Sequence, residues 1–249
     1  ASNATLSGFV VDSPSGHGIL GNAVENVTVT NVDVVDATQD GIFLQHLSGS
    51  NTFANVNISG AAGSALYIDG GTADLALEGV IENSAGRALV IQNTTSGEID
   101  LSNATFNDDG GEGVLLANVG GTVSLGEVNI RNSSVAGITV QDSTGAFTFD
   151  EVCIENSALA GVDVQNVSGS IEFGTVTVHD IEGSPGLSIV DSLADVSINS
   201  LDLNVENATA LYVHDSGLVT ISDGTIVSSG GSAVDIENTE TAVNLTSVS

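Results

Sequence analysis

The chain has 249 residues, of which 41% are hydrophobic but only 4% aromatic, with no Trp and no Met. Thirty-two acidic residues stand against two cationic side chains, Arg87 and Arg131, for a net charge of −30. That balance excludes nucleic acid as a partner, disfavours anionic membrane surfaces, and leaves acidic polysaccharides accessible only through a bridging cation.

In chain order, a loose first copy, Gly18-Ile19-Leu20, is followed by nine clearer ones. They run Gly41–His46, Ala65–Gly70, Ala88–Asn93, Gly113–Asn118, Gly137–Asp142, Gly161–Asn166, Gly186–Asp191, Ala210–Asp215 and Ala233–Asn238, with starts 23 to 25 residues apart. Each begins with a small residue, places apolar residues two apart, and closes in most copies on Asn or Asp. Spacing of two is strand periodicity. Two further short strands follow in each period, clearest at Ile171-Glu-Phe173 and Val176-Thr-Val178. Three strands and three turns in about 24 residues leave no room for a crossover helix. The expectation is a parallel solenoid of about ten coils, with like residues stacked on like about 4.8 Å apart. Ile42 through Val234 and Leu44 through Ile236 then form inward columns. One corner is closed by Asn93, Asn118, Asp142, Asn166, Asp191, Asp215 and Asn238, and a second by Asn83, Asn107, Asn132, Asn156 and Asp180. Asn and Asp suit such bends because they tolerate left-handed backbone.

These repeats resemble the pectin-lyase-like right-handed parallel β-helix superfamily, its parallel β-helix repeat surface proteins in particular, over essentially the whole chain. The resemblance implies an all-β right-handed parallel β-helix, here a single domain over residues 1–249, and both ends break off in mid-pattern, as in a segment of a longer chain. It also implies secretion or display at the cell surface, and the scarcity of Arg and Lys looks like a halophilic or marine protein. Many members process polysaccharides. Lyases of this fold use an Arg or Lys beside the substrate carbon, often with calcium, whereas Lys is absent here and Arg131 is placed to pair with Glu155 one coil later. Gly16-His17-Gly18 matches a hydrolase motif in letters, but it precedes Asp108-Asp109 and lacks the motif's Arg-x-Lys companion.

The carboxylates Asp108, Asp109 and Glu112 share one Gly-containing turn and are the candidate ligands for calcium, a hard cation that takes oxygen donors; no other cofactor is expected. Outward positions on four consecutive coils, Phe43, Tyr67, Val90 and Leu115, predict an apolar stripe, a contact surface for self-association, a neighbouring domain or a sugar ring. Nine Asn-x-Ser/Thr sequons occur, and Asn57, which points outward from its strand, is the candidate for glycosylation. The chain therefore reads as a non-enzymatic extracellular rod or adhesion module without assigned catalytic residues. The alternatives are a polysaccharide-processing or glycan-binding domain and a viral tailspike fragment. At molar salt the screening length falls to about 3 Å, so self-repulsion of so acidic a chain is largely relieved. The thermal unfolding midpoint is expected to rise from low to molar NaCl; a midpoint indifferent to salt would show that the charge does not strain the fold.

Overall fold

The computed structural model describes residues 2–249 and consists of strands and turns. Among these residues no helix is long and apolar enough to cross a membrane. The strands form two parallel sheets, one of thirteen and one of ten strands. The smaller sheet holds the repeat copies, and its register is the expected one: Ile42 pairs with Leu66, Leu66 with Leu89, and the column continues through Val114, Ile138, Val162, Leu187 and Leu211 to Val234. All but Val234 are fully buried.

The two remaining strands of each period run together as one bent strand in most coils, giving two hydrogen-bonded sheets where three short strands were expected. Ala146–Glu155 and Ser170–Glu182 are examples. The bend is marked by burial: Phe149 and Val152 point inward with the exposed pair Asp150 and Glu151 between them, so strict alternation skips one beat. Only toward the C-terminus does the ladder break there, into Val219–Ile221 and Gly224–Ser229.

One hydrophobic core runs through the stack, almost entirely of Val, Ile and Leu, with Phe106, Phe147, Phe149 and Phe173 as its largest buried side chains. Phe149 and Phe173 occupy the same slot in adjacent coils and stack with ring centroids 4.8 Å apart. Both ends of the core are less covered: Leu6, Phe9 and Val10 are exposed at one end, and Val234 and Ile236 are half-buried at the other.

The corners are turned by Asn and Asp in the left-handed region. Asn93, Asn118, Asp142, Asn166, Asp191, Asp215 and Asn238 all have φ between 50° and 57°. Their amides form ladders: Asn93 Nδ2 donates to Asp69, Asn118 to Asn93, Asn166 to Asp142 and Asn238 to Asp215, at 2.8–2.9 Å. At the second corner Asn83, Asn132, Asn156 and Asp180 take the same conformation, but Asn107 does not. It lies inside the strand Glu98–Asp109, and Gly110 makes the turn in that coil.

A column of glycines, Gly97, Gly121, Gly145 and Gly169, lines the turn between the two sheets, where a Cβ on each would collide with a backbone carbonyl of the coil before. Gly145→Ala should therefore cost about 1–3 kcal/mol as the coils are forced apart. Gly16→Ala, at a position with open space around it, should cost far less in the same denaturant titration.

Candidate functional site

The coils are not all alike, and a groove lies where they change. Val34, Ile58, Ile81, Phe106 and Val128 share one inward column of the larger sheet. In the earlier coils the corner follows this column by two residues, at Asp36, Gly60 and Asn83. From Phe106 onward the strand runs two residues further, and the corner falls at Gly110, Asn132 and Asn156. The step leaves a groove of about 460 Å³ on the outer face, lined by Asn83, Asn107, Asp108, Asp109, Glu127, Asn129 and Arg131.

Its walls are polar and already hydrogen-bonded to one another. Asn129 Nδ2 donates to Asn107 Oδ1 at 2.9 Å and to Glu127 Oε1 at 2.8 Å, and Asn132 Nδ2 donates to Asp109 Oδ1 at 2.7 Å. Arg131 Nε lies 3.3 Å from Glu155 Oε2, both side chains well exposed. Such a surface offers amide donors, carboxylate acceptors and one guanidinium, the groups that meet a hydroxyl-rich ligand.

The turn 108–112 does not bring its three carboxylates together. Asp108 is only 2% exposed and turned inward, accepting from Ser84 N and Oγ at 3.0 and 3.1 Å. Asp109 faces Asn132, and Glu112 lies 3.5 Å from Arg87 Nε. Among the described residues no group of three His, Cys, Asp or Glu side chains is arranged to hold a metal ion. Burial pushes the Asp108 carboxyl above the usual carboxylate range, against the pull of its hydrogen bonds from Ser84 and from the Gly113 backbone, while burial draws the half-buried Arg87 guanidinium below its usual value.

Phe43, Tyr67, Val90 and Leu115 do stand in one row, in register on consecutive coils. The row is not an open apolar face: Val90 is 5% exposed, and the other three are half-buried. His17 extends it by stacking on Phe43 at 4.9 Å, and Phe43 meets Tyr67 at the same distance with planes tilted 45°. Tyr67 accepts a hydrogen bond from Gln92 Nε2 at 2.8 Å, and burial, then the charges of Asp69 and Asp40, push its hydroxyl above the usual tyrosine range.

Three of the four histidines stand beside carboxylates of the following coil. His17 lies 3.1 Å from Asp40, His179 3.4 Å from Asp202, and His214 within 3.2 and 3.5 Å of Asp235 and Glu237, each carboxylate one coil ahead. Asn57 does sit on the outer face, but its amide is engaged on both sides, donating to Asp33 at 2.8 Å and accepting from Val80 N at 3.1 Å.

Sequence reasoning found the acidic turn but missed Glu127, Asn129 and Arg131 as its partners in one groove. The signal was present in outward alternation along Glu127-Val-Asn-Ile-Arg131, but the lateral neighbours Asn107 and Asn129 are 22 residues apart, off the common period. Being exposed, the Arg131–Glu155 pair should couple by only about 0.2–1 kcal/mol in a double-mutant cycle with Arg131→Ala and Glu155→Ala, and by nothing measurable in molar salt.

A family model described as a right handed beta helix region matches residues 1–126, half of the chain. No curated protein and no solved structure matches it.

Proposed function

Because the chain belongs to the right-handed β-helix family, we propose that it is a rigid, non-enzymatic structural or adhesion module of a surface protein or filament outside the cell. The fold as a class serves structural, adhesive and polysaccharide-processing roles. The observation that favours the first two is continuity. One aliphatic core joins the coils from Val24 to Ile226, neighbouring strands pair in parallel, and the turns are short. Active sites are usually built by long loops on such a frame. A stack of about ten coils at 4.8 Å makes a rod roughly 50 Å long. The row from Phe43 to Leu115 is its candidate contact for a second copy or a neighbouring domain, and the net charge suits a salty exterior.

The groove at the step favours a second reading, glycan recognition, with Asn107, Asn129, Asp109, Glu127 and Arg131 as the contacts. Sedimentation velocity at low and molar salt separates the two readings when paired with glycan binding and cleavage assays. The structural reading expects concentration-dependent assembly that is lost in Tyr67→Asp and Leu115→Asp. A monomer under every condition, together with glycan turnover that collapses in Asp109→Asn or Glu127→Gln, would overturn it.

A further inference from the structure

Nine Asn-x-Ser/Thr sequons lie along the chain, and the fold treats them differently. Six of the nine asparagines, Asn3, Asn26, Asn93, Asn132, Asn166 and Asn207, take the left-handed conformation, with φ between 51° and 57°. There the chain changes direction at the asparagine itself, which interrupts the strand alternation that would set it beside the hydroxyl two residues on. Asn93, Asn132 and Asn166 also give their amides to the ladders. Of the three outside that conformation, Asn57 has its amide held on both sides, and Asn244 is followed by Thr246, whose hydroxyl bonds Asp223. Asn103 is the ninth.

It lies in the strand Glu98–Asp109, within a bulge. Leu101 pairs with Leu125 and Thr105 with Glu127, so Ser102, Asn103 and Ala104 span what Gly126 spans alone. The bulge is fixed from several sides. Leu101, Ala104 and Phe106 are buried beneath it, and Ser102 N and Oγ donate to Asp100 Oδ1 at 3.0 and 2.6 Å. A Cβ on Gly126 would collide with the carbonyls of Ser102 and Ala104, so the bulge arches closely over that glycine. With Ala104 turned inward, Asn103 and Thr105 stand together on the outer face, two residues apart on an extended chain. Asn103 is exposed, and among the described residues neither its amide nor the Thr105 hydroxyl has a hydrogen-bond partner. Beside it the small side chains Ala54 and Ala76 leave a trough of about 120 Å³, lined also by Thr52, Glu78 and Asp100.

We infer that Asn103 is an N-glycosylation site whose first sugar lies in this trough, an inference that rests on the reading of the chain as an exterior protein. In the reaction Asn103 Nδ2 forms a bond to the anomeric carbon of a sugar carried on a polyisoprenyl diphosphate. The bond from that carbon to the diphosphate oxygen breaks, the lipid diphosphate leaves with the electron pair, and the proton lost from Nδ2 goes to a base of the transferase. Thr105 supplies the other half of the recognition element, the hydroxyl that an acceptor sequon carries. Glu78 and Asp100 accept from hydroxyl and amide hydrogens and repel anions, so the first sugar is a neutral one and not a uronic acid. The site lies on the larger sheet and the row from Phe43 to Leu115 on the smaller, so a glycan here leaves that contact open.

The test incubates the purified folded chain, its sequons unmodified, with an oligosaccharyltransferase and a polyisoprenyl-diphosphate oligosaccharide whose first sugar is neutral. Glycopeptide mass spectrometry then locates the product. Asn103 should be modified, and Thr105→Val should abolish this while leaving the circular dichroism of the fold unchanged. The ladder asparagines Asn93, Asn132 and Asn166 must first break side-chain hydrogen bonds, so they should react at least about tenfold more slowly. A peptide digest of the same chain, in which every sequon is released, should lose that preference. Ladder asparagines that match Asn103 in the folded chain overturn the inference, as does an Asn103 modified only in the digest or in neither sample. Export plays no part in this assay, so its failure leaves the exterior reading standing. That reading falls separately if the native protein is recovered from inside its cells.

Discussion

The amides of each coil donate to carbonyls of the coils on either side, and this continues through the corners as well as the strands. Gly41 N reaches Ser64 O and Ile42 N reaches Ala65 O, at 2.9 and 2.8 Å, while at a corner Asn132 N reaches Glu155 O at 3.0 Å. A backbone satisfied in this way has no freedom to change its perimeter without a local remedy, since unpaired buried backbone groups are rarely tolerated. The small residue that opens each copy, the left-handed Asn or Asp that closes it, and the glycine column between the sheets are all consequences of coils packed one ladder spacing apart.

Where the perimeter does change, chemistry collects. The lengthened strand Glu98–Asp109 places a carboxyl inside the wall, glycines at the turn, and a row of amides and carboxylates along the exposed ledge. None of these is needed by the neighbouring regular coils. The polar groove and the buried acid are two sides of one irregularity.

The fold was legible because the same columns return every 23 to 25 residues, and a hydrophobic column two residues wide cannot be satisfied by anything but a strand in register. Two strands per coil in place of three could not be read, since the bend between Phe149 and Val152 interrupts alternation without interrupting the hydrogen bonds. Asn107 looked like a corner residue for the same reason that the groove stayed hidden. A constant period was assumed across a coil that departs from it, and the true pairing of Asn107 with Asn129 shows the departure. The row of Phe43, Tyr67, Val90 and Leu115 was legible as a row, but its half-burial depends on neighbouring side chains that alternation alone does not locate.

The corner ladders also bear on how the molecule ages. Each amide in them is a one-way donor: Asn156 gives its Nδ2 hydrogen to Asn132, Asn132 to Asp109, and Asn166 to Asp142, always toward the preceding coil. Hydrolysis of any of these side-chain amides turns the donor into an acceptor and sets oxygen against oxygen, in places carboxylate against carboxylate, on a chain already at −30. Asn is among the thermolabile residues, and here it is confined by its neighbours at the very points where the chain changes direction. The durability of such a rod over long exposure is set by the chemistry of its edges, while its hydrocarbon interior offers nothing to hydrolyse.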